Sequence, residues 1–187
     1  MAMGKSLSIG AVALLLAACS GNLVRMQTEY GPSAYDYANY ELYHAGRDTR
    51  VEVHGNPFAM TAPAFANAVT DRMMGAPIGR PTRFTTSPGP SAEKNLRVVM
   101  AFDSDSDAYD LCNGKVVPQK AEADMLTLRA AWCFGDRQDS MVEAVVGRPK
   151  DVDDPRFRDL IEQTVMNLFP RFEDRELIRD NDRSIRE

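Results

Sequence analysis

Met125-Leu126-Thr127-Leu128-Arg129-Ala130-Ala131-Trp132-Cys133-Phe134, then Gly135-Asp136-Arg137-Gln138, then Met141-Val142-Glu143-Ala144-Val145-Val146, is the stretch that decides the fold. An extended chain points successive side chains to opposite faces. Leu126, Leu128, Ala130, Trp132 and Phe134 therefore share one face,. Gly135 to Gln138 reads as a hairpin turn and Met141 to Val146 as the returning strand,. Strands joined by a hairpin pair antiparallel. Cys133 falls on the face opposite Trp132.

Working outward, Leu96 to Phe102 predicts another strand, with Leu96, Val98, Met100 and Phe102 on one side,. In Thr49 to His54, Val51 and Val53 alternate with Arg50, Glu52 and His54, and Gly55-Asn56-Pro57 ends the run,. Thr82 to Thr86 is a short strand candidate. Two helices separate these segments. Thr61 caps the first, Pro63 sits in its first turn, and Phe65, Val69 and Met73 form its stripe,. Asp154 caps the second, with Pro155 at its first position, and Phe157, Leu160, Ile161, Val165 and Leu168 recur at helical spacing before Pro170,. The expected class is α+β: a two-layer sandwich, a mostly antiparallel sheet of about four strands with two helices on one face.

The domain proper is expected over 48–170, and a charged tail over 171–187. Five of the six tyrosines, Tyr30, Tyr35, Tyr37, Tyr40 and Tyr43, precede the domain in a segment read as a tether, residues 19–47. Their rings either present a sticky surface or fold back as an edge strand or wrapped arm, and the second reading is preferred. The chain of 187 residues is 26% charged with a net charge of −5, and its pI is near 5.1. That balance argues against a nucleic-acid binder, which carries a basic patch.

Residues 1–18 look like an export signal. Lys5 supplies a positive start, and Ile9 to Ala18 form an apolar or small run, shorter than the about 20 residues needed to cross a bilayer,. Leu16-Ala17-Ala18-Cys19 then resembles the lipobox of bacterial lipoproteins. The resemblance implies cleavage before Cys19, which becomes an N-terminal cysteine carrying three acyl chains such as palmitate. One chain holds a membrane marginally and several hold it stably. Ser20 rather than Asp follows the cysteine. In Gram-negative bacteria this implies the periplasmic face of the outer membrane rather than the inner membrane. The cleaved chain would hold 21 basic against 27 acidic residues, a net of −6.

With Cys19 assigned to lipid, Cys112 and Cys133 remain. In an exported domain the simplest expectation is one disulfide; two free thiols are the alternative. Asp103-Ser104-Asp105-Ser106-Asp107 has carboxylates at places one, three and five of a calcium loop,. Ala108 and Gly114 stand where such a loop needs glycine and a bidentate glutamate, so Asp103, Asp105 and Asp107 make a weak metal candidate. Val98 to Phe102 running into Asp103-x-Asp105 also resembles the haloacid-dehalogenase-type phosphatases, with Lys150 and Asp153-Asp154 as nominal partners. The hairpin pattern is the wrong topology for that family.

Phosphate-loop, dinucleotide and nucleophile-elbow motifs are absent, so no catalytic residue and no cofactor are expected,. His44 and His54 have no third ligand at a joining spacing. Arg171, Arg175, Arg179 and Arg183 recur every four residues, interleaved with acids. They read as a solvated tail, or as a ridge for an anionic partner. The expectation is a non-enzymatic, membrane-anchored accessory that works by contacts with envelope proteins. The alternative is a lipid or small-ligand binding module beside an envelope transporter. The plan is similar to small periplasmic lipoproteins that assist outer-membrane assembly or lipid transport. That similarity is at the level of fold, which does not imply function.

Overall fold

A computed structural model describes residues 24–30 and 36–171. In chain order the elements are β1 (Arg25–Tyr30), α1 (Tyr37–Tyr43), β2 (Asp48–His54), α2 (Ala62–Met73), β3 (Arg83–Thr85), β4 (Leu96–Phe102), α3 (Ala108–Cys112), β5 (Met125–Phe134), β6 (Arg137–Gly147) and α4 (Pro155–Leu168). The strands form a single sheet in the order β1-β6-β5-β4-β2-β3.

The class is α+β, but the expected architecture is corrected in three respects. Among the described residues the sheet has six strands rather than about four, and four helices accompany it rather than two. The pairing is also mixed: β1, β6, β5 and β4 run antiparallel, while β4, β2 and β3 run parallel. Parallel pairing follows from connectivity. β2 is followed by α2 and then β3, and a helix between two strands gives the crossover that parallel neighbours need,.

The predicted hairpin is present, with β5 and β6 joined at Gly135-Asp136. A bulge alters its end. Trp132 pairs with Ser140 but Cys133 with Gln138, so Asp139 is an extra residue in β6,. Strict alternation would carry Phe134 to the Trp132 face, yet Phe134 is 40% exposed. The Arg137 guanidinium lies 5.5 Å from its ring centre.

The large core lies on one face. Leu96, Val98, Met100 and Phe102 of β4, Leu126, Leu128, Ala130 and Trp132 of β5, and Val142, Ala144 and Val146 of β6 point into it. Tyr40 of α1, Phe65, Val69 and Met73 of α2, and the predicted α4 stripe close it from above. Both predicted caps are formed: Thr61 accepts from the Ala64 amide and Asp154 from the Arg156 amide. The other face carries a small cluster, Val99, Ala101, Leu111, Cys112, Ala131 and Cys133, beneath α3. Among the described residues no helix is long and apolar enough to cross a membrane.

Candidate functional site

Three places concentrate the polar chemistry: a buried network under α1, the acidic loop after β4, and the free edge at β1.

The first begins with the tyrosines. Asp36 caps α1, and Tyr37, Tyr40 and His44 lie three and four residues apart, on one face,. Tyr40 is fully buried, and its ring centre lies 4.9 Å from that of Phe169 beyond α4. The Tyr37 hydroxyl donates to the Ile78 carbonyl at 2.5 Å, and the Tyr40 hydroxyl to that of Arg80 at 2.7 Å. Both rings thus grip loop 76–82. Gly79 is required there: its φ is +104°, and a Cβ would overlap the Tyr37 hydroxyl,.

His44 is buried and sits between Trp132 and two threonines. The Trp132 indole N–H donates to His44 Nε2 at 3.0 Å. An indole nitrogen only donates, so Nε2 accepts and the ring proton sits on Nδ1. That N–H donates to Thr49 Oγ1 at 2.7 Å, Thr49 donates to Thr82 Oγ1 at 2.6 Å, and Thr82 donates to the Arg47 carbonyl at 2.9 Å. The chain has one direction and satisfies every member, as buried polar groups require. Burial away from water lowers the His44 pKa to about 4,. A second ring proton would also point at the Trp132 N–H.

Beside this network, Asp48 accepts from Arg83 Nε and Nη2 at 2.8 and 2.7 Å and from the Gly89 amide at 2.7 Å. The Arg83 hydrogen bonds, then that of Gly89, hold its pKa at about 2. This pair ties short β3 to β2.

In the second place, residues 103–107 alternate. Ser104 and Ser106 are fully buried, whereas Asp105 and Asp107 are exposed. Ser104 Oγ donates to the Val117 carbonyl, and Ser106 Oγ donates to the Lys115 carbonyl and accepts from the Val117 amide. The serines close the loop. Asp103, with φ +45°, lies 3.0 Å from Arg148 Nη2, and Asp107 caps α3 through the Asp110 amide. The three aspartates are not gathered around one point, and among the described residues no group of three or more His, Cys, Asp or Glu could hold a metal ion. Of the phosphatase-like residues, Asp153 pairs with Arg72 and Asp154 caps α4, while β4 runs antiparallel to β5.

Cys112 and Cys133 form the expected disulfide, Cα to Cα 5.5 Å, on the face away from the large core. Arg97 Nη2 donates to the Cys112 carbonyl at 2.5 Å and Nη1 to that of Gly135 at 2.8 Å. Cys19, Arg175, Arg179 and Arg183 lie outside the described residues; Arg171 is exposed beyond α4. His54 is half-buried, and its Nε2 has no hydrogen-bond partner among the described residues.

The third place is β1. It pairs with β6 from Arg25↔Val145 to Tyr30↔Ser140, and among the described residues no strand lies on its other side. Arg25, Gln27 and Glu29 are exposed, while Met26 and Thr28 are half-buried. That alternation was available in the sequence, as was the Tyr37, Tyr40, His44 spacing; the tether reading passed over both.

Among the described residues, hollows lie beside the helices and in the loop before α4, where one of about 400 Å³ is bordered by Lys150, Asp153 and Arg156. Another of about 170 Å³ is bordered by Met73, Ala76, Ile78 and Phe84.

No family model matches the chain, and no curated protein matches it. Among solved structures it is similar to PelC from Paraburkholderia phytofirmans. A point variant of the PelC dodecamer in space group C2 aligns with TM-score 0.44 and 10% identity, over 80% of this chain and 100% of that one. The dodecamer in space group P6 gives the same score and identity over 80% and 99%. This is a distant likeness.

Proposed function

We propose that the chain is a lipid-anchored protein of the bacterial envelope, a structural or assembly accessory that acts through protein contacts on the periplasmic face of the outer membrane. One observation carries the reading: the chain enters the sheet at Arg25, six residues after Cys19, as an edge strand whose other side is free among the described residues. Six residues reach at most about 20 Å. An acylated Cys19 would therefore keep this edge close to the membrane. An open strand edge is a ready template for another chain. The open edge of β1 favours contact over enclosure of a lipid or small molecule.

The test is a photo-crosslinker placed at Gln27 or, as a control, at Lys94, in the full-length protein in intact envelopes. Adducts with an envelope protein from position 27 and not from 94 are expected. A Cys19→Ala chain should leave the membrane fraction and lose the adducts. Adducts at neither position, or a variant that stays acylated and membrane-bound, would overturn the reading.

A further inference from the structure

We infer that the free side of β1 pairs with β1 of a second copy of this chain, antiparallel, about a two-fold axis at Gln27. The inference rests on the contact reading above and names the partner.

β1 reads Arg25-Met26-Gln27-Thr28-Glu29-Tyr30. It contains no proline, so no backbone N–H donor is missing from it,, and among the described residues no strand pairs with its free side. Arg25, Gln27 and Glu29 lie on the exposed face, and Met26 and Thr28 pack towards the core side. Among the described residues Arg25 and Glu29 have no ion-pair partner.

Symmetry restricts the register. A two-fold axis perpendicular to the sheet keeps each face on its own side, so exposed-face residues must oppose exposed-face residues. Centring on Met26 would set Arg25 against Gln27, and centring on Thr28 would set Gln27 against Glu29. Centring on Gln27 sets Arg25 against the partner's Glu29, and Glu29 against the partner's Arg25. Met26 then opposes Thr28, and Gln27 opposes itself. Only this register pairs opposite charges twice, and it uses all five residues from 25 to 29. Edges are commonly blunted by charged side chains, lysine above all, and like charges set directly opposite destabilise a strand pair. This edge carries opposite ones, which stabilise a cross-strand pair.

The register gives a direct test. Directly opposed residues in antiparallel strands have Cα atoms about 4.5–5.5 Å apart, within disulfide reach. Full-length protein carrying Gln27→Cys, oxidised mildly in intact membranes, is expected to give a disulfide-linked dimer, and Glu93→Cys to give none. Adding Arg25→Glu or Glu29→Arg places like charges across the axis twice and should slow cross-linking roughly tenfold. Combining the two reversals should restore it. Circular dichroism melts of each variant exclude unfolding as the cause. Failure of Gln27→Cys to dimerise, or reversals that slow cross-linking without rescue by the double variant, would overturn the pairing. If adducts with a different protein still form at Gln27, only the second-copy assignment falls. If they do not form either, the contact reading falls with it.

Discussion

On one face of the sheet, α1, α2 and α4 cover a continuous apolar layer that includes Trp132, Tyr40, Phe65, Phe157 and Phe169, all fully buried. On the other face, five-residue α3 covers only Val99, Ala101, Ala131 and Cys133, and three further devices hold it. These are the Cys112–Cys133 bond, the Arg97 contact to the Cys112 carbonyl, and the hydroxyls of Ser104 and Ser106. Burial scales with apolar area, so the first face supports itself. The second buries too little and depends on covalent and polar fastening. The two faces should therefore fail separately.

The largest effect is expected on the first face. Phe157 meets Phe58, Phe65 and Phe102 at ring distances of 5.3, 6.0 and 6.0 Å. Phe157→Ala should cost ~3–5 kcal/mol, lowering Tm by on the order of 10 °C in a domain of this size. Calorimetry checks it; a Tm within 2–4 °C of the parent, the span that about 1 kcal/mol gives, would show that this layer is not the main support. Next comes the bond on the other face. Its sequence separation is 21, and replacing both Cys112 and Cys133 by Ser should cost about 3 kcal/mol by loop entropy. Hydrogen exchange should then rise over 103–119 well before it rises in β6 and α4. Equal acceleration everywhere would make the two faces one cooperative unit.

A smaller effect is expected at Ser106. Its hydroxyl serves the Lys115 carbonyl and the Val117 amide. Ser106→Ala leaves both without that partner and should cost about 1–3 kcal/mol, again read as exchange confined to the loop. Asp105→Asn, at an exposed position, should leave the same amides unchanged.

The same contrast explains what was legible beforehand. β4, β5, α2 and α4 announce themselves because a one-sided apolar layer imposes a period, and their caps sit at the expected residues. The disulfide followed from the presumed export of the chain and from the two cysteines left after Cys19. The parallel β2–β4 pairing was hidden, because pairing partners are set by topology rather than local pattern. For residues 19–47 the preferred reading, rings folded back as an edge strand or wrapped arm, agrees with edge strand β1 and buried Tyr40, but the bounds of β1 and α1 stayed hidden because tyrosine suits wet surfaces and cores alike; Tyr40 is core by virtue of Phe169 and Trp132, which are remote in sequence. In the acidic loop the aspartates drew the chemical reading, while the serines between them carry the structure.

The last prediction concerns the seam that fastens α1 to the first face, and it separates polar fastening from burial there. His44 has its pKa lowered to about 4 in the folded chain, against about 6.5 when unfolded. Between those values the unfolded chain binds a proton that the folded chain does not, so stability is complete above pH 6.5 and declines as pH falls towards 4. Going from pH 8 to 5.5 should cost on the order of 1 kcal/mol. Asp48 does not confound this window, because its pKa is held at about 2, below the ordinary 3.8, and its contribution is lost only at lower pH. His44→Gln retains an acceptor for Trp132 and a donor for Thr49 but does not titrate. Its melts should therefore lose most of the difference between pH 8 and 5.5. Trp132 is the only tryptophan, so its fluorescence reports the same event: in the parent, emission should change with acid before global unfolding. An unchanged pH slope in His44→Gln would show that α1 is held by the rings of Tyr40 and Phe169 alone, and that the hydrogen-bond chain adds nothing to the seam.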